Sequence, residues 1–316
     1  MTKKILFTGG GGSGSEGLFK LLEGKYEVHF ADADINSKPY SIPLDRWHCI
    51  EKASSPNFLD SIKKLCDGCS IDVLIPGVDE ELIPLALARE NLEFNMLLPP
   101  LDFIETHLDK LKSNSKLSSQ NLPVPKTDLI DERNSVVFPC IIKPKIGRGS
   151  RDVRIIESEE ELQAHVLLSR RKSEEFILQE QLIGQEYTVL MVANRQKNLK
   201  AIIPVKVGIK KGITIRAMTD FDQSIISACF AIHLNWPVSG CYNIQLIKTD
   251  SKEIKPFEIN PRVSTTTCLA VAAGVDFISL YLSDENSDNA KLYSFKNNLA
   301  LKRSWFNEFY MNKEQE

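Results

Sequence analysis

Four polar residues near the end of the chain are spaced so that they could bind a metal ion and a phosphate. Glu258 and Asn260 stand two positions apart in an otherwise apolar pattern, so their side chains share one face of a strand. If Asp250–Glu253 form a four-residue turn, Gln245 lies directly opposite Glu258. A carboxylate and two amide oxygens suit Mg²⁺, which completes its shell with water and substrate phosphates. Arg262 follows just beyond this face, where a guanidinium can pair with a phosphate. The alternative is an ordinary hairpin with a solvated polar face.

Lys143 ends an apolar strand pattern that begins at Cys140. A buried lysine without a partner is costly, so a phosphate is favoured over a purely structural role.

A glycine-rich segment near the start of the chain suggests a different chemistry. Thr8–Gly17 follows a strand pattern, and Asp32 and Asp34 come about 20 residues later, where a dinucleotide-binding fold places its ribose-binding acid. The segment could therefore serve a nicotinamide-dependent oxidoreductase, or it could be a tight turn that packs a helix on a sheet. No tyrosine is followed four residues later by lysine, the pair that short-chain reductases use. Asp79 or Glu80, after a further strand, could hold a substrate amine, although Asp79 is favoured as a helix cap.

The elements that must position these residues fall into three parts. Short apolar strands alternate with helices over the first hundred residues, which predicts a parallel sheet with helices on both faces. A single helix is expected over Leu101–Asn121, followed by a compact unit of strands and one helix up to Leu178. The remainder is rich in strands, and its polar end, MNKEQE, is expected to be frayed. The fold class is therefore mixed, α/β and α+β. The strands expected after Gln179 are Glu186–Val192, Ala201–Val207, Cys241–Lys248 and Ile254–Ile259.

The segment Phe257–Ser264, FEINPRVS, resembles the metal-binding segment of ATP-grasp enzymes, and most closely that of the carbamoyl phosphate synthetase large subunit. Further segments between Leu101 and Ala273 resemble the family in the same order. The resemblance implies an ATP-grasp fold with three parts. These are an N-terminal parallel-sheet (pre-ATP-grasp, Rossmann-like) domain over 1–104, a small α+β lid domain with its linker helix over 105–178, and a C-terminal antiparallel-sheet domain with the metal site over 179–316.

The resemblance also implies roles for individual residues. Glu258, Asn260 and Gln245 would hold Mg²⁺, with Mn²⁺ as an alternative, and Arg262 and Lys143 would act catalytically on the transferred phosphate. Leu182 and Ile183 would sandwich the adenine ring of ATP, and Glu186 would bind the ribose hydroxyls. The other nucleotide-binding positions are Lys110 and Lys143 at the phosphates, Gly147, Gly149 and Ser150 in the lid loop, the backbone of Glu180, Gln181 and Leu182 at the adenine edge, and Lys210, where the synthetase carries histidine.

The implied activity is that of an ATP- and Mg²⁺-dependent carboxylate–amine ligase. It would activate a carboxylate as an acyl phosphate for attack by an amine or ammonia and release ADP and phosphate. The lid loop Lys145–Arg151 has only two glycines, fewer than is usual in the synthetase, which weakens the expectation that it closes over the γ-phosphate. The chain is also far shorter than the synthetase subunit, so carbamoyl phosphate synthesis by this chain alone is not expected. The alternatives are the oxidoreductase and an ATP-binding module without catalysis.

The amino-acid composition limits the classes of binding partner that are expected. A net charge of −3 gives no support to nucleic-acid binding, and no apolar run is long enough to span a membrane. Small carboxylates and amines are the expected partners, a homodimer is one expected assembly, and the expected location is the cytoplasm, where the seven cysteines would remain free thiols. Cys66 and Cys69 form a lone CxxC with a turn expected between them and no zinc ligands suitably spaced, and the five histidines are expected to form no close cluster.

Overall fold

A parallel sheet opens the fold. The computed structural model describes residues 2–284 and 292–304, so the tail predicted to be frayed lies outside the described residues. Within residues 2–96, five parallel strands lie in the order β3-β2-β1-β4-β5, with helices on both faces, as the alternating sequence pattern predicts. The elements are β1 (Lys4–Thr8), α1 (Ser15–Leu22), β2 (Glu27–Asp32), β3 (Trp47–Cys49), α2 (Phe58–Cys69), β4 (Val73–Ile75), α3 (Asp79–Ala88) and β5 (Asn95–Met96).

Two expectations for this sheet are wrong. Helix α2 continues through both cysteines of the CxxC, and the chain turns only at Ser70, which adopts a left-handed conformation with φ of 55°. His29 of β2 and His48 of β3 do form a close pair, with their ring centroids 5.2 Å apart. The sequence separates the two histidines by 19 residues, and only the pairing of β2 with β3 brings them together.

The linker consists of two helices where the sequence predicted one. Helix α4 (Leu101–Leu108) stops at Asp109, and α5 (Lys110–Ser119) begins at the next residue. The carboxylate of Asp109 accepts hydrogen bonds from the backbone N–H groups of Leu111 and Lys112, at 2.9 and 3.1 Å. Asp109 is therefore the N-cap of a new helix, and Lys110 stands at its first position.

The middle part of the chain forms a small sheet with one long helix. Within residues 127–180, four antiparallel strands lie in the order β6-β9-β7-β8. The helix begins after Ser158, whose hydroxyl accepts the N–H of Glu161. We call this part the lid; its elements are β6 (Thr127–Leu129), β7 (Cys140–Pro144), β8 (Arg154–Ile156), α6 (Glu159–Ser169) and β9 (Phe176–Glu180).

An antiparallel sheet of six strands occupies residues 184–302 of the described chain, in the order β14-β13-β10-β11-β12-β15. Strands β12 and β15 were not predicted, and the others extend a few residues beyond their predicted ends. The four-residue turn over 250–253 is confirmed. The elements are β10 (Gly184–Ala193), β11 (Leu199–Lys211), β12 (Ile213–Thr219), α7 (Gln223–Asn235), β13 (Gly240–Thr249), β14 (Ile254–Asn260), α8 (Thr267–Ala272), α9 (Phe277–Leu282) and β15 (Ala300–Lys302).

The cores show how the three parts are joined. One core contains side chains of both the first and the third sheet, including Phe7 and Phe30 with Leu190 and Ala201. The lid has a separate small core around Ile142, built from its own residues. No helix of the described residues is long and apolar enough to cross a membrane. The domain boundaries at residues 104 and 178 remain predictions.

Candidate functional site

A cleft of about 1030 Å³ lies where the three sheets meet. Ile183 does not line it and is 70% exposed, and Gln181 does not line it either. The other predicted site residues all line this one cleft: Lys110, Lys143, Gly147, Gly149, Ser150, Glu180, Leu182, Glu186, Lys210, Gln245, Glu258, Asn260 and Arg262.

The hairpin of β13 and β14 presents the predicted metal ligands to the cleft. Gln245 is paired with Glu258, and Asn243 is paired with Asn260. Paired residues share a face, so the hairpin carries one carboxylate and several amide oxygens side by side. This set of hard oxygen donors fits Mg²⁺. Asn243, two positions before Gln245, is fully buried and does not line the cleft. Its Nδ2 donates to the carbonyl of Arg262, and its buried Oδ1 has no partner among the described residues.

Two buried lysines reach the cleft beside this hairpin. Lys143 is 4% exposed, and its Nζ donates to Gln179 Oε1 at 2.9 Å and to the Phe257 carbonyl at 3.4 Å. Burial lowers the pKa of Lys143 to about 8. Lys110 is 8% exposed; its Nζ donates to the Gly147 carbonyl at 2.6 Å and lies 3.7 Å from Glu258 Oε1. Two cations beside a carboxylate form a site prepared for phosphates and a metal ion.

Gln179, which the sequence analysis did not single out, holds Lys143 in place at the cleft. It is 2% exposed, lines the cleft, and accepts from Lys143 while its Nε2 donates to Thr127 Oγ1 at 2.9 Å. It therefore fixes Lys143 from the adjacent strand.

The predicted adenine hinge is the short connection between β9 and β10. Glu180 is held by the backbone N–H of Lys126 at 3.1 Å and by Lys255 at 3.3 Å. Across the cleft, Lys210 Nζ pairs with Glu186 Oε1 at 2.6 Å. The predicted ribose-binding carboxylate thus has a cationic neighbour, which sequence spacing could not reveal.

Arg262 connects the hairpin to the first sheet. Its Nε donates to Asp79 Oδ1, and both side chains are 16% exposed. Asp79 is the first residue of α3 and not its cap, because Val78 is the N-cap and no side chain caps this helix. In the lid loop, Arg148 Nε lies 3.1 Å from Glu80, the next residue of α3.

The glycine-rich segment lies on the opposite side of the same cleft. Gly9 has a φ of +64°, and a Cβ on Gly14 would approach the Thr265 carbonyl to 3.1 Å. Asp32 Oδ2 accepts the Gly11 N–H at 2.9 Å, so this acid binds its own loop. Beside it Glu81, 5% exposed, accepts from Thr8 Oγ1, and burial raises its pKa to about 7. The segment is a tight turn that forms one wall of the cleft.

The three sheets and the cleft where they meet form an ATP-grasp fold. The family described as ATP-grasp in the biosynthetic pathway with Ter operon matches residues 172–306. Among curated proteins, the chain is 25% identical over 290 residues to the carbamoyl phosphate synthase large chain of Pseudomonas syringae pv. tomato. It is also 25% identical over 289 residues to the arginine-specific large chain of Bacillus subtilis. Each alignment covers 83% of this chain but only 27% and 28% of the relative, so the chain spans little more than a quarter of these proteins.

Solved structures support the same fold. The L-amino acid ligase of Bacillus licheniformis superposes with a TM-score of 0.66 at 16% identity, over 88% of this chain and 73% of the ligase. N5-carboxyaminoimidazole ribonucleotide synthetase of Thermotoga maritima gives a TM-score of 0.62 at 18% identity, over 86% and 72% of the two chains. Residues 172–306 thus match an ATP-grasp family, the chain has an ATP-grasp fold, and it is similar to the carbamoyl phosphate synthase large chain, as its sequence motifs predicted.

Proposed function

We propose that the chain is an ATP- and Mg²⁺-dependent carboxylate–amine ligase. It phosphorylates a small carboxylate to an acyl phosphate, an amine or ammonia displaces the phosphate, and ADP and phosphate are released. The observation that carries the proposal is the convergence of Glu258, Asn260 and Gln245 with Lys143 and Arg262 in one cleft. The curated relatives and the solved structures above support the same class of reaction.

Each cleft residue has a role in this reaction that follows from its chemistry. Lys143 and Lys110 would bind the nucleotide phosphates, since both carry their charge into the cleft. Glu258, Asn260 and Gln245 would hold Mg²⁺, which when bound offsets negative charge on the transferred phosphoryl group. Arg262 would stabilise the phosphoryl group between the carboxylate and ADP. Positioning and electrostatics provide the catalysis, so no side-chain nucleophile is needed.

The acceptor carboxylate would enter from the side of the first sheet. On that side, opposite the adenine hinge, the cleft is lined by the glycine turn and by the segment Ser264–Thr266. Asp79 contacts Arg262, which also lines the cleft. Arg262 can exchange its partner Asp79 for a substrate phosphate, because Arg262 lines the cleft. We further infer a cytoplasmic location, in line with seven free cysteines.

The test is ADP release by the purified protein with Mg-ATP and pairs of small carboxylates and amines. We expect turnover that requires one carboxylate together with one amine or ammonia. Binding of Mg-ATP without turnover for any pair would favour the non-catalytic module. Failure to bind Mg-ATP would refute the proposal.

Substitution of Glu258 provides the first prediction. Glu258→Gln removes the only carboxylate of the hairpin's metal face, so we expect ADP release to fall by about 100-fold or more. Glu253→Gln is the matched control, because Glu253 lies exposed in the turn of the same hairpin. If both variants keep full turnover with Mg²⁺, the metal assignment is wrong.

A further inference from the structure

Three metal-binding side chains meet on the first sheet, away from the cleft. His29 lies in β2, His48 lies in β3, and Cys69 is the last residue of α2. Side chains alternate along β2, so His29 lies on the face opposite Phe30, which lines the cleft. None of the three lines the cleft, and the site is therefore independent of the proposed ligase activity.

The distances match a transition-metal site. His29 Nδ1 and His48 Nε2 lie 2.9 Å apart. One ring nitrogen of each histidine and Cys69 Sγ all lie within 4.8 Å of one another. In a tetrahedral zinc site, with Zn–N of about 2.0–2.1 Å and Zn–S of about 2.3 Å, neighbouring ligand atoms lie about 3.3–3.8 Å apart. Small side-chain rotations would therefore bring the three atoms into place. Two imidazoles and one thiolate are ligands that favour Zn²⁺ over Mg²⁺ or Ca²⁺.

The surroundings of His29 also resemble those of a metal ligand. Its other ring nitrogen, Nε2, lies 3.0 Å from Glu27 Oε1 and 3.1 Å from Nη1 of Arg46. Metal-bound histidines commonly donate their free N–H to a carboxylate, which fixes the tautomer and the ring orientation. Arg46 and Lys4 pair with the same carboxylate at 2.8 and 3.3 Å, so Glu27 stays ionised and in place. Burial lowers the pKa of both imidazoles, which favours the neutral form that metals bind.

The end of α2 adds a further feature. Cys69 stands at the C-terminus of a 12-residue helix, where the helix dipole favours a cation. Cys66, the other cysteine of the CxxC, is 1% exposed and packs in the core with Phe58 and Ile62, so it is not a ligand. The sequence disfavoured zinc at this CxxC because no further ligands were suitably spaced along the chain, whereas the fold brings two histidines from neighbouring strands to Cys69.

We propose that His29, His48 and Cys69 form a Zn²⁺ site that joins β2, β3 and the end of α2. Three protein ligands leave one tetrahedral position, which a water molecule would fill. On binding, the Cys69 thiol loses one proton to solvent as the Zn–S bond forms. The hydrogen bond between the two imidazoles is replaced by two Zn–N bonds, with the ring protons on His29 Nε2, facing Glu27, and on His48 Nδ1.

The test uses Co²⁺ as a spectroscopic probe on protein stripped of metal with a chelator. We expect one equivalent of Co²⁺ to produce a thiolate-to-cobalt charge-transfer band, and Zn²⁺ to abolish it by displacement. Zn²⁺ should also raise the melting temperature of the stripped protein, because it binds only the folded chain at this site. Absence of the band would overturn the proposal.

Variants identify the ligands. Cys69→Ser should abolish the band and weaken Zn²⁺ binding by about tenfold or more, and His48→Gln should weaken binding similarly. Cys49→Ser is the matched control, because Cys49 is exposed and adjacent to His48 in β3 but lies outside the cluster. A band that persists unchanged in Cys69→Ser, or that is lost in Cys49→Ser, would refute the assignment.

Discussion

At the scale of single residues, the most consequential group is the buried ammonium of Lys143. Burial lowers its pKa to about 8, whereas bound phosphates require the charged form. We therefore expect the Kd for a non-hydrolysable Mg-ATP analogue to be constant below about pH 7 and to rise above pH 8. Because one proton is lost, the Kd can rise by at most about tenfold per pH unit. Calorimetric titration between pH 6.5 and 9.5 measures this.

Lys143→Met serves as the reference for that experiment. It removes the titrating group and leaves an apolar side chain of similar length in a buried position. The variant should bind the Mg-ATP analogue weakly at pH 7, with a Kd that does not change with pH. The Kd of the native chain should therefore approach that of the variant at high pH. Parallel curves for the two proteins would show that Lys143 does not bind the phosphates.

Glu81 should control the pH dependence of stability. Burial, together with the nearby carboxylates of Asp32 and Glu80, raises its pKa to about 7. The folded chain therefore holds a proton that the unfolded chain releases near pH 4.5. This contribution to stability is complete below that pH and is lost as the pH rises through 7.

The corresponding variant is Glu81→Gln, which stays neutral and can still accept from Thr8. Thermal denaturation without nucleotide should show equal melting temperatures at pH 5 and a gain on the order of a few °C for the variant at pH 8. Glu90→Gln, at an exposed position just after α3, should show no gain at either pH. Equal behaviour of both variants would contradict the prediction.

The relative placement of site side chains was predictable from the sequence where local spacing determines it. Side chains in a strand alternate, so the shared face of Glu258 and Asn260 and the pairing of Gln245 with Glu258 followed from the sequence and are confirmed. The Asp79–Arg262 pair joins residues 183 positions apart, and no local pattern encodes it. The His29, His48 and Cys69 cluster was missed for the same reason.

At the scale of elements, the break between α4 and α5 determines where Lys110 points. Asp109 caps α5, so Lys110 begins the new helix, and its backbone N–H donates to the Lys145 carbonyl at 2.9 Å. Asp109→Ala should cost about 1 kcal/mol of stability through the lost cap. We also expect it to raise the Kd for Mg-ATP several-fold, because Lys110 loses its fixed position.

A variant at the N-cap of another helix distinguishes the loss of stability from the loss of affinity for Mg-ATP. Ser158→Ala removes the N-cap of α6 in the lid, at a similar cost in stability but away from Lys110. Its Kd for Mg-ATP should remain unchanged. Equal losses of affinity in both variants would mean that general destabilisation, and not the position of Lys110, is responsible.

The helix break shows why elements were only partly predictable. Leu101–Asn121 contains no glycine or proline before its end, so the sequence favours one continuous helix. At the break, Lys110 contacts two carbonyls of the lid loop, that of Lys145 through its N–H and that of Gly147 through its Nζ. Such tertiary contacts override local propensity. Strand β12 was missed, although its apolar residues alternate with polar ones over part of its length.

At the scale of the whole molecule, the lid is the part that can move as a unit. The first and third sheets share one core, whereas the lid has its own core and joins them through α5 and the connection over 181–183. Within the described residues, the lid loop contacts α3 through the partly exposed pair of Arg148 and Glu80, and it contacts α5 through the hydrogen bond from Lys110 Nζ to the Gly147 carbonyl. Exposed ion pairs contribute little, so the contact with α3 should resist opening only weakly.

Closure of the lid over ATP should therefore protect its loop. The loop carries Lys145, Arg148 and Arg151, at which trypsin can cut. We expect cleavage there without nucleotide and several-fold slower cleavage with a non-hydrolysable Mg-ATP analogue, identified by mass spectrometry of the fragments. Cleavage after Lys197, in the exposed turn between β10 and β11, should keep the same rate and serves as the internal control. If both sites slow equally, the nucleotide stabilises the whole fold; if neither slows, the lid does not close on the nucleotide.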